Sequence, residues 1–448
     1  MENELKINES DKNVGVIITA RVKSNRLSEK VLQEINGKKT IEILLDHVIP
    51  HDDKYRVILA IPESSENNIL AEIGKSKGVE VYRGQDESPL HRIYECALMN
   101  EFQYVVRITA DDILIDQQLM REQIKFHIRG GQDYTYLGKC PEGIAGEVIS
   151  FDALSRVVDM VGNKPVEFVS YYLRTNDFSQ REFYPPFDYQ FSFRLTLDYE
   201  EDLILLKTVF SLLKEPFGTL DIINLLKRNK YLLQINKLPE TTLYTCNYNQ
   251  GKYVVECMES IMSQTYQDFE YIIVDDSSTD DGLKTVMDYY SSLPTTKQRR
   301  VRVIRNSDIV GLPASCNRVL EMARGKYIMR IDADDKLKPE SVRRTIDEIK
   351  ILDVKAIFTG YQEMDAESAV IRDELNNPFH PGCCLLSKWA VNELKYREGI
   401  KYMEGADFFN RFKKLYNYKV IPDLLWYYRR HDEQKTAQED HPEKGEKS

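Results

Sequence analysis

The sequence predicts an α/β fold in two successive units, and three observations carry that prediction. Short β-rich apolar runs alternate with helical-looking segments from residue 14 to about residue 213, and the alternation restarts at Thr241, as in parallel sheets built from βαβ units. Two of the later runs close in acidic clusters: Tyr271-Ile272-Ile273-Val274 leads into Asp275-Asp276-Ser277-Ser278-Thr279-Asp280, and Tyr327-Ile328-Met329-Arg330-Ile331 into Asp332-Ala333-Asp334-Asp335. A chain of 448 residues also exceeds the size at which one hydrophobic core usually stops growing.

Taken in chain order, residues 14–18, 55–61 and 104–108 read as strands of the first unit. Residues 220–237 mix Leu, Lys and Asn at helical spacing and read as its last helix plus a linker. The expected boundaries are 1–232 for the first domain, 233–240 for the linker, 241–436 for the second domain and 437–448 for a flexible tail, because the chain beyond Arg430 is too polar to fold alone. Residues 243–249 read as a strand running into a loop, followed by a helix with Val254, Val255, Met258, Ile261 and Met262 on its apolar face.

Composition narrows the class. With 42% hydrophobic and 30% charged residues, the chain has a globular balance. No stretch approaches the roughly 18 apolar residues a membrane helix needs, and Met1-Glu2-Asn3-Glu4-Leu5-Lys6 lacks a signal-peptide pattern. A cytoplasmic protein without a transmembrane segment is expected, with peripheral membrane contact left open. Seven cysteines without a C-x-x-C pair argue against a disulfide framework or a zinc site, and Cys383-Cys384 is expected as buried packing. A net charge of −11 argues against nucleic acid as a partner, while leaving room for a small anion held by local Arg and Lys.

Carboxylates at the carboxyl ends of parallel strands meet a ligand rather than a core. Oxygen donors suit a hard cation, Mg2+ or Mn2+, that bridges a diphosphate and offsets its charge as a leaving group. The competing reading is a pair of solvated acidic turns.

Further residues of the second half accompany these clusters: Leu243-Tyr244-Thr245-Cys246-Asn247-Tyr248-Asn249, then Ser260, Gln264 and Thr265, then Gly311, Asn317, Gly325-Lys326-Tyr327-Ile328 and Tyr427-Tyr428-Arg429-Arg430-His431. Residues 241 to 431 resemble glycosyltransferase family 2, a GT-A-fold group, with Cys246 standing where that family often has Pro. The resemblance implies a nucleotide-sugar donor and a glycan or lipid-linked acceptor. Thr245, Asn249 and Asp276 would then meet the nucleotide, Asp276 by accepting a hydrogen bond from the base. Asp334 and Asp335 would hold ribose and the metal on the diphosphate, with Asp332 orienting them and His431 as a further metal or diphosphate ligand. Inverting transfer also needs a base for the acceptor hydroxyl, and Glu404-Gly405-Ala406-Asp407-Phe408-Phe409-Asn410-Arg411 occupies its place. Counting back from Arg411 favours Glu404 or Gly405, whereas the local Gly-x-Asp pattern favours Asp407. Asp407 is taken as the base with Glu404 in reserve, against the reading that either carboxylate merely caps a helix.

In the first half, Ile17-Ile18-Thr19-Ala20-Arg21 and Ser24-Asn25-Arg26-Leu27-Ser28-Glu29-Lys30 place three cations directly after a strand. Arg21, Arg26 and Lys30 would neutralise a triphosphate, with Ser24 and backbone N–H groups donating hydrogen bonds. Arg83-Gly84-Gln85-Asp86-Glu87, Leu90 and Arg92 follow, then Val106-Arg107-Ile108-Thr109-Ala110-Asp111-Asp112 and Arg194-Leu195-Thr196-Leu197-Asp198. This order is similar to that of cytidylyltransferases of the spore-coat polysaccharide type, relatives of the CMP-sugar synthetases. The likeness implies that CTP and an unidentified sugar are substrates, that Arg83 and Arg107 join the nucleotide site, and that Asp111 and Asp198 hold Mg2+. Departures fall at Ser28, Ser88, Ile113, Ala145 and Phe168, and those at Ser88, Ala145 and Phe168 imply an altered sugar pocket.

Together the resemblances imply two Rossmann-like nucleotide-binding domains, a nucleotidyltransferase α/β/α domain followed by a GT-A domain. The expected protein is a bifunctional enzyme of surface polysaccharide or glycan biosynthesis. The alternative is a glycosyltransferase whose first domain is a degenerate nucleotide-binding module.

Overall fold

The run that begins the first unit, Val14–Thr19, is a continuous apolar stretch because both its faces are covered. Val16 and Ile18 enter one hydrophobic core and Ile17 the other. The structure, a computed structural model, describes residues 13–24, 27–50, 55–166, 169–375, 382–400 and 404–432. Arg26, Phe168 and the expected tail lie outside the described residues.

Val14–Thr19 sits inside a seven-stranded sheet of order Glu80–Gly84, Arg56–Pro62, Val14–Thr19, Tyr104–Thr109, Glu147–Ser150, Tyr134–Leu137, Gln180–Phe183. The first four strands are parallel, and Glu147–Ser150 runs antiparallel beside them. The second sheet repeats this plan: Val301–Arg305, Phe269–Asp275, Thr241–Asn247 and Tyr327–Arg330 are parallel, and Leu385–Ser387 runs antiparallel beside them. It continues through Ala356–Met364, Tyr418–Arg429 and Lys336–Leu337. Leu243, Tyr271 and Ile273 face one core of this sheet, and Tyr244, Ile272 and Val274 the other. Counted among themselves, the parallel strands of each sheet stand in the order third, second, first, fourth. The strand order reverses between the first and fourth, and that switch point leaves a crevice beyond their carboxyl ends.

The helix expected after the first strand of the second unit spans Val254–Met262, with Cys257 rather than Val255 among its buried residues. The chain divides into two compact units, residues 1–237 and 238–448, so the division falls within the stretch read as a linker. That stretch is not a bare spacer. Asn236, 6% exposed, donates from Nδ2 to Asp202 Oδ1 at 2.9 Å and to the Arg194 carbonyl at 3.1 Å, and so belongs to the first unit's interior.

Candidate active sites

In the first unit a 3-10 turn, Lys30–Leu32, follows the loop after the first strand, and Thr40 Oγ1 donates to the Lys30 carbonyl at 2.7 Å. Lys30 Nζ then donates to Asp111 Oδ2 at 2.8 Å and to Asp198 Oδ1 at 3.1 Å. The two carboxylates expected to share a metal are thus brought together around an ammonium group. Their spacing is set by the backbone, since Leu197 N donates to the Asp111 carbonyl at 2.9 Å. Arg194 bridges the far side, with Nη2 at 2.9 Å from Asp198 Oδ2 and 3.0 Å from Asp202 Oδ2. Burial disfavours its charge, but the hydrogen bonds and charge of Asp202, with Glu142 and Asp198, hold Arg194 firmly protonated. Asp202, 1% exposed, accepts the N–H groups of Asp198 and Tyr199, each at 2.9 Å. Burial and then the Asp111 charge push the neighbouring Asp112 carboxyl well above the usual range. Gly143 (φ +96°) passes this cluster where a Cβ would lie 2.9 Å from Thr196 N, so only glycine fits.

The other cations expected on the nucleotide have diverse placements. Arg21 is exposed, and its charge, after burial, helps to lower the Arg92 guanidinium to about 10. Ser24 is partly buried in the same loop. Arg107 and Arg83 both have protein partners. Arg107 faces Glu147 directly across the antiparallel strand pair and is held by its Oε2 at 2.7 Å, while Arg83 turns at its strand end to Asn68 Oδ1 at 2.7 Å and the Glu63 carbonyl at 3.2 Å. Ser88, a departure from the resemblance, has become a buried tie. Its Oγ accepts from Val166 N at 3.2 Å and lies 2.6 Å from His91 Nδ1.

In the second unit the first acidic cluster is bound into its own loops. Asp275 Oδ1 accepts from Asn247 Nδ2 at 2.9 Å and Oδ2 from Ser278 N at 3.1 Å. Asp276 accepts from Asn306 Nδ2 (2.7 Å), Val310 N (3.0 Å) and Gly311 N (2.8 Å), which leaves roughly one lone-pair direction of its carboxylate for a ligand. Thr245, expected at the nucleotide, lies in the core. Strand alternation turns it inward, fully buried, with its hydroxyl 3.6 Å from Cys257 Sγ. Asn249, in the left-handed region, spends its side-chain carbonyl on Thr279 N at 2.8 Å and Asp280 N at 3.3 Å, and so shapes the loop.

The second cluster begins where Gly325 lets two strands start close together; a Cβ there would lie 2.3 Å from Thr242 N. Asp332 Oδ1 accepts from Arg330 Nε at 2.7 Å, and Asp334 Oδ2 meets His431 Nε2 at 3.1 Å. Asp335 is fully buried and accepts the Arg429 N–H on Oδ1 at 3.0 Å. Burial, then the charges of Asp334 and Asp332, push its carboxyl well above the usual range. Arg429, given no role by the sequence, is the hub. Fully buried, it donates to the Asp334 and Ala366 carbonyls, Ser368 Oγ and Glu256 Oε2 at 2.8 to 2.9 Å.

Among the described residues no three His, Cys, Asp or Glu side chains form a ready metal cage. Two buried carboxylate oxygens, Asp111 Oδ1 and Asp335 Oδ2, nevertheless have no hydrogen-bond partner. Bare oxygens beside paired donors fit a hard cation held by one or two protein ligands, with substrate phosphates completing its shell.

The candidate bases part company. Asp407 is enclosed by Arg397 Nη1 at 3.1 Å and Arg411 Nη2 at 2.8 Å, and Arg411 also donates to the Leu394 and Lys395 carbonyls. Its carboxylate ties the helix Glu404–Leu415 to the segment before it. Glu404, the first residue of that helix and 9% exposed, lies 3.6 Å from Arg330 Nη2, and so connects through Arg330 to Asp332. The carboxylate linked to the acidic loop is thus Glu404, while Asp407 is paired with Arg397 and Arg411.

Two open α/β sheets, each with carboxylates at its switch point, define a nucleotide-dependent transferase. Residues 15–238 match the family model Cytidylyltransferase, and residues 242–425 match Glycosyl transferase family 2. The chain belongs to the cytidylyltransferase family through its first half and carries a glycosyl transferase family 2 domain in its second; it is an enzyme with two transferase domains. It is 28% identical over 224 residues to the spore coat polysaccharide biosynthesis protein SpsF of Bacillus subtilis, covering 48% of this chain and 93% of that one. With the chondroitin synthase of Escherichia coli it shares 34% identity over 147 residues, 33% of this chain and only 21% of that protein's length. The solved structure of a cytidylyltransferase from Leptospira borgpetersenii aligns with 50% of this chain and 98% of its own, at 24% identity and a TM-score of 0.47. Among the described residues no helix is long and apolar enough to cross a membrane.

Proposed function

We propose that the chain carries out two steps of polysaccharide assembly in the cytoplasm. The first unit transfers the cytidylyl group of CTP to a sugar, giving a CMP-sugar and pyrophosphate; the second transfers a glycosyl group from a nucleotide-sugar with inversion. The observation that supports this is one of position: in each unit a separately built set of carboxylates follows the fourth parallel strand, at the switch point. The name of the Bacillus relative supports a polysaccharide as the end product.

In the first site Asp111 and Asp198, and in the second Asp334 and Asp335 with His431, would hold Mg2+ or Mn2+, which when bound would neutralise the substrate phosphates. In the first, Lys30 turns from the two aspartates to the triphosphate, and Arg21 neutralises its outer oxygens, while a sugar hydroxyl or carboxylate attacks the α-phosphorus and pyrophosphate leaves. Positioning and charge compensation do this work. In the second, Asp276 accepts from the nucleotide base and Asp332 from the ribose. Glu404 takes the proton of the acceptor hydroxyl as its oxygen attacks the anomeric carbon opposite the departing diphosphate, and Arg330 holds Glu404 toward the donor.

The test compares Glu404→Gln with Asp407→Asn. Glu404→Gln is expected to lower kcat for transfer by roughly 10^2- to 10^4-fold with donor binding kept, and Asp407→Asn to retain transfer within about tenfold while lowering Tm. The reverse result would return the base to Asp407. One observation favours a second reading, in which the first unit binds nucleotide without turnover: Lys30 already fills the space between Asp111 and Asp198. Pyrophosphate release from CTP, Mg2+ and a panel of acidic sugars, abolished in Asp111→Ala, decides against it.

A further inference from the structure

Seven cysteines are spread along the chain, and two of them, distant in sequence, meet beneath the nucleotide loops of the second unit. Cys246 on the strand Thr241–Asn247 and Cys316 on the helix Leu312–Met322 have their sulfurs 3.8 Å apart, at van der Waals contact. Cys246 is partly exposed and Cys316 fully buried, so a small reagent reaches the pair through Cys246. Burial pushes Cys96, Cys140 and Cys383 up to about 12, and the hydrogen bond with Cys316, then burial, push the Cys246 thiol well above its usual range. Burial acts on Cys316 too, but is outweighed by the hydrogen bond with Cys246, the charge of Arg330 and the Tyr244 hydroxyl, which lower it. A buried sulfur held toward its thiolate, in contact with a partly exposed thiol, is a peroxide-reactive cysteine with a resolving partner beside it.

We propose that Cys246 and Cys316 form a reversible, peroxide-driven disulfide that distorts the donor-nucleotide site of the second unit. The Cys316 thiolate attacks one oxygen of hydrogen peroxide that reaches it past Cys246; hydroxide leaves, takes up the proton Cys316 had lost and becomes water, and a sulfenic acid forms on Cys316. The Cys246 sulfur then attacks that sulfur and expels hydroxide, which with the Cys246 thiol proton makes the second water. Two thiols are oxidised by two electrons and one peroxide is reduced to two waters. Closing the sulfurs from 3.8 Å to about 2.05 Å moves the strand end or the helix, and both carry the site. Asn247, next to Cys246, holds Asp275 and Ser278. Ser315, next to Cys316, accepts from Asn306 at 2.9 Å, and Asn306 in turn donates to Asp276 at 2.7 Å.

The cross-link itself is independent of the function proposed above; its effect on nucleotide binding rests on that reading. The reduced full chain is titrated with hydrogen peroxide, alkylated under denaturing conditions and analysed by intact mass and peptide mapping. Expected are two fewer alkylated cysteines and one linked peptide joining Cys246 to Cys316, absent in Cys246→Ser, retained in Cys383→Ser, and reversed by dithiothreitol. Hydrogen exchange over residues 306–311 should rise, and affinity for UDP should fall at least tenfold in the linked chain but not in peroxide-treated Cys246→Ser. A linked peptide between other cysteines, none at all, or a linked chain with unchanged exchange would overturn the proposal. If the reduced chain binds no nucleoside diphosphate, the reading of the second unit as a transferase fails while linkage and exchange still decide this one.

Discussion

The two acidic centres occupy the same place in similarly ordered sheets, yet they differ in what balances their charge. In the first unit every carboxylate of the pair already has a side-chain cation: Lys30 lies between Asp111 and Asp198, and Arg194 behind Asp198 and Asp202. In the second, each carboxylate has a different partner: Arg330 pairs with Asp332, His431 meets Asp334, and Asp335 accepts the Arg429 amide. A cation arriving at the first centre has a resident ammonium to displace. At the second it meets Asp334 and an imidazole, which is a ligand when neutral. The same switch point can thus be built around a resident ammonium, or around a histidine and an unpartnered buried carboxylate oxygen.

The change expected to separate the centres furthest is Asp334→Ala. It should lower glycosyl transfer by roughly a thousandfold, since a metal on the diphosphate supplies several kcal/mol, and leave pyrophosphate release from CTP untouched; steady-state assays of both reactions check this. Next comes Arg194→Leu, which strands buried Asp202 and should destabilise the first unit by about 3–5 kcal/mol. Calorimetry should show one transition shifted and the other in place. Acid should act on the first unit in the same sense. His127 is fully buried with Nδ1 on Thr135 Oγ1, and burial lowers it from 6.5 to about 4. Its folded pKa is depressed, so the unfolded chain takes the proton first; this stability is intact above about pH 6.5 and falls by on the order of 3 kcal/mol as pH drops toward 4. Urea unfolding at several pH values, compared with His127→Gln, isolates that slope. The smallest effect should come from Lys30→Gln, which removes the resident cation. Without nucleotide, Mn2+ should bind the first centre roughly tenfold more tightly, about 1.4 kcal/mol, as read by electron paramagnetic resonance.

Much of this was legible in the sequence where burial is two-sided. The runs before the acidic clusters are continuous because both faces of each strand are covered, and the family resemblance implied that Asp111 and Asp198 lie together, as they do around Lys30. What escaped was the choice of partner. Thr245 looks like a loop hydroxyl but sits in a strand whose alternation points it at Cys257. Arg107 and Arg83 look available for phosphate until Glu147 and Asn68 arrive from distant segments. Arg429 could not be read at all, since Glu256, Asp334 and Ala366 all lie far away in sequence. The partner of Asp407 is different, because its signal was present: Asp407 and Arg411 stand four apart on a helix, the spacing of an ion pair.

During synthesis the chain leaves the ribosome from its amino end, and domains fold as units in that order. The acid cluster around Arg194 receives its last donor from Asn236, the next-to-last residue of the first unit. A nascent chain from which Asn236 has not emerged carries Asp202 without one of its hydrogen bonds, so the cluster around Arg194 is complete only when the whole first unit has left the ribosome, by which time the opening strand of the second is already being made.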